Sequence, residues 1–227
     1  MQKPAKLNPT DHPICLICKS ANSTIAFEQR TNHFERNHYK CHVCDCIFVP
    51  PIYHLDTDRQ KQRYLEHNND PTDPRYRRFL SKATIPLLKH INKGSIGIDY
   101  GSGPGPTISV MLQKHDLKTI NFDPIFAPNK SVLSCKYDFI TCTETAEHFS
   151  NPLKEFELFQ KLLKPKGVLV VMTSLLDTCD DFSNWYYNHD PTHIVFYSKS
   201  TMRWINRKFN WEISFPGKTV TLFKTTA

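Results

Sequence analysis

Two pairs of cysteines, Cys15-x2-Cys18 and Cys41-x2-Cys44, stand 22 residues apart near the start of the chain. Each pair makes a tight turn that offers two sulfurs to one ion. Four thiolates at this knuckle spacing suit a tetrahedral, structural zinc site. Cys46, His42, His33 and His38 are alternative donors for the fourth position, and the spacing sends Cys46 to the opposite face of the strand that leaves the knuckle. Five of the eight cysteines fall within residues 15–46, a clustering that points to a metal in a reducing compartment rather than a disulfide framework. Reduced structural cysteines are the bland alternative. Cys135, Cys142 and Cys179 lack partners at metal spacing and read as small buried hydrophobes.

A second set of residues concerns a ligand. Five of the seven glycines lie between residues 94 and 105, so backbone freedom is concentrated in one strand-to-helix turn, Asp99-Tyr-Gly101-Ser102-Gly103-Pro-Gly105. Pro106 suits the first helical position and leaves N–H groups facing the ligand. A pyrophosphate reader expects a third glycine where Pro106 stands, and gains nothing from an acid such as Asp99 beside the phosphates. A sulfonium cofactor with an ammonium group is favoured by that acid. One strand later, Asp123 can accept hydrogen bonds from both hydroxyls of a ribose. A helix cap or surface charge is the alternative role for Asp123 and for Glu144.

The third set offers bases and stacking surfaces. Glu147-His148 follows one strand, and Trp185-Tyr-Tyr-Asn-His-Asp190-Pro-Thr-His193 follows the next, so both should reach the same sheet edge. His193 with Asp190 as its orienter, or His148, would serve as base. Trp185, Tyr186 and Tyr187 would stack on a planar acceptor. The alternative is a turn-capping His148, a satisfied core His193 and packing aromatics. The polar run Arg63-Tyr-Leu-Glu-His67-Asn-Asn-Asp70 suits a lid.

The elements that must position these groups follow from periodicity and breakers. Residues 1–13 read as a flexible lead and residues 14–50 as a small β module with strands near 24–27 and 47–49, ended by Pro50-Pro51. Residues 51–92 read as a helical linker or lid with two helices. From residue 93 to 227 the pattern alternates: strand 96–100, helix near 106–115, strands 118–122 and 137–142, helix 152–164, strand 168–174, helix 199–208 and closing strands. Lys164-Pro-Lys-Gly167 should stop the helix. The fold class is therefore α/β, a Rossmann-like sheet with helices on both faces plus a zinc-ribbon-like β module.

Together, Asp99 to Gly105, Asp123, the Tyr137-to-His148 segment and Leu163-Lys-Pro-Lys-Gly167 resemble the class I S-adenosylmethionine-dependent methyltransferase superfamily over about residues 90–176. The runs Tyr53-His-Leu-Asp56, His67-Asn-Asn-Asp70, Asp73-Pro-x-Tyr76-Arg and Asp190-Pro-Thr-His193 look like a bacterial subgroup with an N-terminal cysteine module. One departure is Lys166, where the family pattern often has glycine. The resemblance implies that Asp99, Gly101, Ser102, Gly103 and Gly105 hold the methionine end of the cofactor. It implies further that Asp123 holds the ribose and that the loop beginning Asp123-Pro124 walls the adenine, with Glu144 as a further contact.

Charge and hydropathy narrow the acceptor only a little. The net charge of +7 divides into +2 for residues 1–50, +3 for 51–90, −2 for 91–200 and +4 for 201–227. The basic excess thus lies in the flanks, which permits a polyanionic partner. No run approaches the roughly 18–20 apolar residues of a membrane span, so a cytoplasmic protein without a membrane partner is expected. The reading that leads is methyl transfer to RNA, ribosomal or transfer, carried by the cysteine module and the basic flanks. A small-molecule acceptor such as a quinone, sugar or natural product is the alternative. A non-catalytic zinc-ribbon binding protein with a vestigial core is the third, opposed by the intact Asp99 loop and Asp123.

Overall fold

The computed structural model describes residues 12–31, 34–66 and 69–226. Residues 1–11 of the expected lead, the candidate donor His33 and the His67-Asn68 part of the polar run lie outside them. In chain order the elements are β1 (Ser23–Arg30), β2 (Glu35–Cys41), β3 (Ile47–Phe48), α1 (Thr57–Leu65), α2 (Pro74–Leu88), β4 (Ile96–Tyr100), α3 (Thr107–Gln113) and β5 (Lys118–Phe122). There follow β6 (Tyr137–Thr143), α4 (Pro152–Leu162), β7 (Leu163–Met172), β8 (Val195–Phe196), α5 (Lys199–Phe209), β9 (Trp211–Ser214) and β10 (Val220–Thr225).

Six strands form the main sheet in the order β5-β4-β6-β7-β10-β9. The first four are parallel, and β10 and β9 close the edge antiparallel. Both faces of a parallel sheet must be covered, so its strands are apolar on both sides. In β7, Leu169 and Val171 join one core with Phe156, Phe159 and Leu162 of α4 and Met202 and Ile205 of α5. Val168, Val170 and Met172 join the other with Leu80, Ala83 and Leu87 of α2 and Ile108 and Leu112 of α3. β4 is flanked by β5 on one side and β6 on the other, so the chain leaves in opposite directions and opens a crevice at the strands' carboxyl ends. The expected Rossmann-like layers are present.

Lys164-Pro-Lys-Gly167 departs from expectation. It does not form a separate stop before a strand at 168, because α4 ends at Leu162 and β7 begins at Leu163. Leu163 already pairs with Tyr137 across a bulge, and Lys164 Nζ donates to Asp138 Oδ1 at 2.8 Å. Lys166 takes a left-handed φ of 63°, which accounts for glycine being the better-suited residue there.

The cysteine module is not a bead on a string. Its sheet, β1-β2-β3-β8, borrows β8 from the far side of the chain, with Phe48 paired to Val195 and Ile47 to Phe196. Its core residues Tyr39, Phe48 and Val49 share one cluster with Trp185, Tyr187 and Phe196. The tightest link is Arg36 of β2, only 2% exposed. Its guanidinium donates to the carbonyls of Asn188 (2.5 Å), Asp190 (3.0 Å), Pro191 (3.1 Å) and His193 (3.0 Å), and Nε donates to Gln29 Oε1 at 2.8 Å.

Truncating Arg36 would orphan four carbonyls in a buried setting, each costing about 1–3 kcal/mol and not additively. Arg36→Ala should therefore lower the unfolding free energy by about 3–5 kcal/mol in a urea titration. An unchanged midpoint would show that the loop 188–193 is held by other contacts.

Candidate active site

The glycine turn sits where β4 opens the crevice. Gly101 and Gly103 have φ of 78° and 62°, conformations that L-residues with a Cβ resist. A Cβ on Gly101 would come within 2.2 Å of Thr145 Cγ2, and one on Gly105 within 1.9 Å of the Asn69 carbonyl. The turn is thus packed between the loop after β6 and the segment that follows α1. Asp123 ties it from below: Oδ2 accepts from Gly103 N at 3.1 Å, while Oδ1 accepts from the N–H groups of Ile125 (2.8 Å) and Phe126 (2.9 Å). A carboxylate offers about four lone-pair sites, so Oδ2 keeps capacity for a further donor.

Asp99 lies one residue before the end of β4 at 3% exposure and accepts from the Thr141 hydroxyl at 2.7 Å. Burial pushes its carboxyl up to about 7 against that hydrogen bond, and the nearby Asp123 adds to the rise. Glu144 lies in the left-handed region at φ 49°, a conformation costing roughly 1–2 kcal/mol for a residue with a Cβ. Burial, then the charge of Glu147, raises its carboxyl well above the ordinary range while Lys82 draws it down. Ser102 and Pro124 line the same cavity, whose volume is about 730 Å³.

The far end of that cavity is walled by Glu147, His148, Asp190 and His193, beneath Gln60 and Tyr64 of α1. His148 Nδ1 donates to the Thr192 carbonyl at 3.0 Å, and His193 Nδ1 donates to the Tyr187 carbonyl at 2.7 Å. A carbonyl only accepts, so each Nδ1 carries the proton and each Nε2 keeps its lone pair while the ring is neutral. Burial, then the neighbouring His148, lowers His193 to about 4. The two rings meet edge to face with centroids 4.8 Å apart, and Tyr64 and Tyr187 pack on them.

The expected hydrogen bond that would make Asp190 the orienter of His193 is replaced by the Tyr187 carbonyl. Asp190 Oδ2 accepts from Arg63 Nε at 3.0 Å, and Oδ1 accepts from Thr192 N at 2.9 Å and its hydroxyl at 2.5 Å. Against the cost of burial, the charge of His193, those Thr192 bonds and Arg63 hold Asp190 down at about 2. It therefore acts on His193 through its charge and fastens α1 to the loop. Among the aromatics, Tyr186 is exposed, while Trp185 packs against Phe182, Tyr187 and Phe196; Trp185 is thereby a core residue.

The sequence places Glu147 with His148 among the candidate polar groups of the acceptor pocket and gives the carboxylate no role of its own. In the fold it is fully buried, and neither of its carboxylate oxygens makes a hydrogen bond of ordinary length among the described residues, the Tyr187 hydroxyl being a donor near it. Its ligating atom and those of His148 and His193 lie within 4.8 Å of one another. An acid beside a histidine at a strand end is the signal that brought the pair forward; the burial of the acid is what the sequence does not carry. Arg36 carries none, since nothing local distinguishes it from other charged residues of a small β module.

The sulfurs of Cys15, Cys18, Cys41 and Cys44 also lie within 4.8 Å of one another. Cys15–Cys44 is 3.6 Å and Cys18–Cys41 is 3.4 Å, near the edge of about 3.8 Å that 2.3 Å metal–sulfur bonds imply for a tetrahedron. The expectation for Cys46 is overturned: its sulfur points inward, 3.4 Å from Cys15 and 3.6 Å from Cys44, because the Cys41 N–H to Cys46 carbonyl bond closes the turn back on itself. His42 instead meets Thr24 at 2.9 Å, and His38 is enclosed by Phe27, Phe182 and Phe196. No helix among the described residues is long and apolar enough to cross a membrane.

A family model described as a methyltransferase domain matches residues 72–214. No curated protein matches the chain. A solved O-methyltransferase family protein from Burkholderia thailandensis is similar at 14% identity and a TM-score of 0.48, covering 74% of this chain and 63% of that one. Another, described as an S-adenosylmethionine-dependent methyltransferase from Methanosarcina mazei, is similar at 12% identity and a TM-score of 0.49, covering 62% of this chain and 97% of that one.

The raised Asp99 carboxyl predicts a pH dependence of stability. With a folded value near 7 against 3.8 unfolded, the folded state binds more protons between those values, so stability falls as pH rises through that window. Asp99→Asn retains an acceptor for Thr141 and should remove this dependence, gaining on the wild type by roughly a few kcal/mol as the pH climbs from about 4 to about 8. Urea unfolding of both proteins at several pH values checks it, and parallel curves would contradict it.

Proposed function

The chain belongs to the methyltransferase-domain family, and on that premise we propose that it transfers the methyl group of S-adenosylmethionine to a hydroxyl of a small-molecule acceptor. The observation that carries this reading is the single cavity of about 730 Å³ that joins the glycine turn to the Glu147–His148–His193 corner. The volume is within the usual range of small-ligand sites, about 300–1,000 Å³. An RNA acceptor, which the basic flanks suggest, would have to insert a nucleotide past α1 at the cost of unstacking it.

The residues present fit the cofactor. Asp99, buried and pushed up without a counter-charge, suits the ammonium group, and the turn Gly101-Ser102-Gly103 with Gly105 offers backbone at close range. Asp123 retains a lone pair for a ribose hydroxyl, and Pro124 with Ile125 and Phe126 would flank the adenine. Glu144 would stand between the methionine end and the acceptor corner. S-adenosylmethionine supplies a methyl group already activated on a cationic sulfur. The protein's share is to align the acceptor in line with it and to ease the loss of the hydroxyl proton. The Glu147–His148–His193 corner, with Asp190 securing α1 over it, would perform that share. We propose also that a structural zinc ion is held by Cys15, Cys18, Cys41 and Cys44.

Calorimetry should detect binding of S-adenosylhomocysteine, weakened at least tenfold by Asp123→Ala; no binding to the wild type would remove the cofactor claim. Incubation with tritiated methyl donor and separated RNA, protein and small-molecule extracts should place label in the small-molecule fraction. Label in RNA alone would replace the acceptor class. Metal analysis should find one zinc per chain as purified, and a folded, metal-free protein with every thiol free would refute the zinc site.

A further inference from the structure

The acceptor corner contains a charge problem that methyl transfer by itself does not explain. Glu147 is 0% exposed, neither oxygen makes a hydrogen bond of ordinary length among the described residues, and the Tyr187 hydroxyl that stands near it is shared with Thr173 at 2.9 Å. A buried carboxylate without its full hydrogen bonds is strongly unfavourable. Facing it are His148 and His193, and both commit Nδ1–H to backbone carbonyls, at 3.0 and 2.7 Å. That arrangement fixes the tautomer that leaves both Nε2 lone pairs unprotonated, and it is how metal-ligating histidines are held by their surroundings.

We propose that Glu147, His148 and His193 together bind a divalent transition-metal cation at the acceptor end of the cavity. The inference rests on the reading of that cavity as the methyl-transfer site. The three ligating atoms lie within 4.8 Å of one another, and bonds of about 2.1 Å require edges of about 3.0–3.5 Å, which small side-chain rotations supply. Two imidazole nitrogens and one carboxylate oxygen favour manganese, iron, cobalt or zinc over magnesium or calcium. The site is separate in chemistry from the cysteine cluster, whose ligands are all sulfur.

The three residues come from places the fold fixes independently. Glu147 and His148 lie on the short turn Ala146–His148 that follows β6. His193 belongs to the loop whose carbonyls Arg36 grips, and its own carbonyl is one of them, at 3.0 Å. All three line the cavity, so the ion's remaining positions are open to an acceptor oxygen. A cation there lowers the pKa of a hydroxyl that it binds. As the oxygen–methyl bond forms, the sulfur–methyl bond breaks with its electron pair left on sulfur, giving a neutral thioether, and the hydroxyl proton passes to solvent water.

The test uses Mn²⁺, which thiolates bind poorly and which electron paramagnetic resonance counts directly. Full-length protein as purified, with its cysteine module loaded, should bind one Mn²⁺ per chain. Pulsed spectra should show coupling to two histidine nitrogens. Glu147→Gln and His193→Ala should weaken binding at least tenfold while S-adenosylhomocysteine still binds, which establishes that the variants are folded. No Mn²⁺ bound by the wild type, bound Mn²⁺ without nitrogen coupling, or unchanged affinity in both folded variants would overturn the proposal. Methyl transfer to small molecules by a protein that binds no Mn²⁺ would overturn the cation alone. Mn²⁺ binding with label appearing only in RNA would instead overturn the acceptor class and leave the cation standing.

Discussion

One buried guanidinium is the tightest polar link between the two halves of the molecule. Arg36 points from β2 into the loop 188–193 and satisfies four of its carbonyls. A loop running through the interior must find partners for its backbone polar groups or lose several kcal/mol, and β pairing cannot supply them here because β8 begins only at Val195. Burial draws the Arg36 guanidinium down to about 10, so it remains a cation at neutral pH. Its strand runs on to Cys41, so the cysteine turns that close β2 also fix the strand that carries Arg36. The cysteine module thereby sets where His193 stands.

The cavity that this link completes is electrostatically unfinished in the protein alone. Asp99 and Glu147 sit buried and Glu144 half-buried around one space, and desolvation raises Asp99 and Glu144. Glu144 adds backbone strain to its desolvation. Such strain persists only where the surrounding structure over-determines it, and it concentrates at functional sites. A cationic cofactor beside Asp99 and a metal ion beside Glu147 each offset part of the same uncompensated charge. Arg63 and Asp190 close the arrangement from above by pinning α1, a helix with no buried residue of its own.

Much of this is legible in the chain. β5 runs from Lys118 to Phe122 as its alternation and flanking breakers indicate, and apart from β8 the order of strands and helices from residue 96 follows from periodicity and breakers. Asp99, the glycines and Asp123 converge because strand ends in a parallel sheet share an edge. What escapes a linear reading has a common cause, contacts and turns that local spacing does not encode. Spacing nominates Asp190, three residues away, as the partner of His193, whereas the loop folds back so that Tyr187 supplies a carbonyl and Asp190 turns to Arg63. Strand alternation places Cys46 on the outer face, and the Cys41–Cys46 turn interrupts that alternation. Glu147 is an ordinary acid in the sequence, and only three-dimensional enclosure makes it unusual.

Donor and acceptor are held to share one cavity, and a crystal structure with S-adenosylhomocysteine bound tests that most directly. The ammonium group should lie against the Asp99 end of the glycine turn, a ribose hydroxyl on Asp123, and the sulfur should face the Glu147–His148–His193 corner across open space. A cofactor bound elsewhere, or one whose sulfur faces away from that corner, would contradict it.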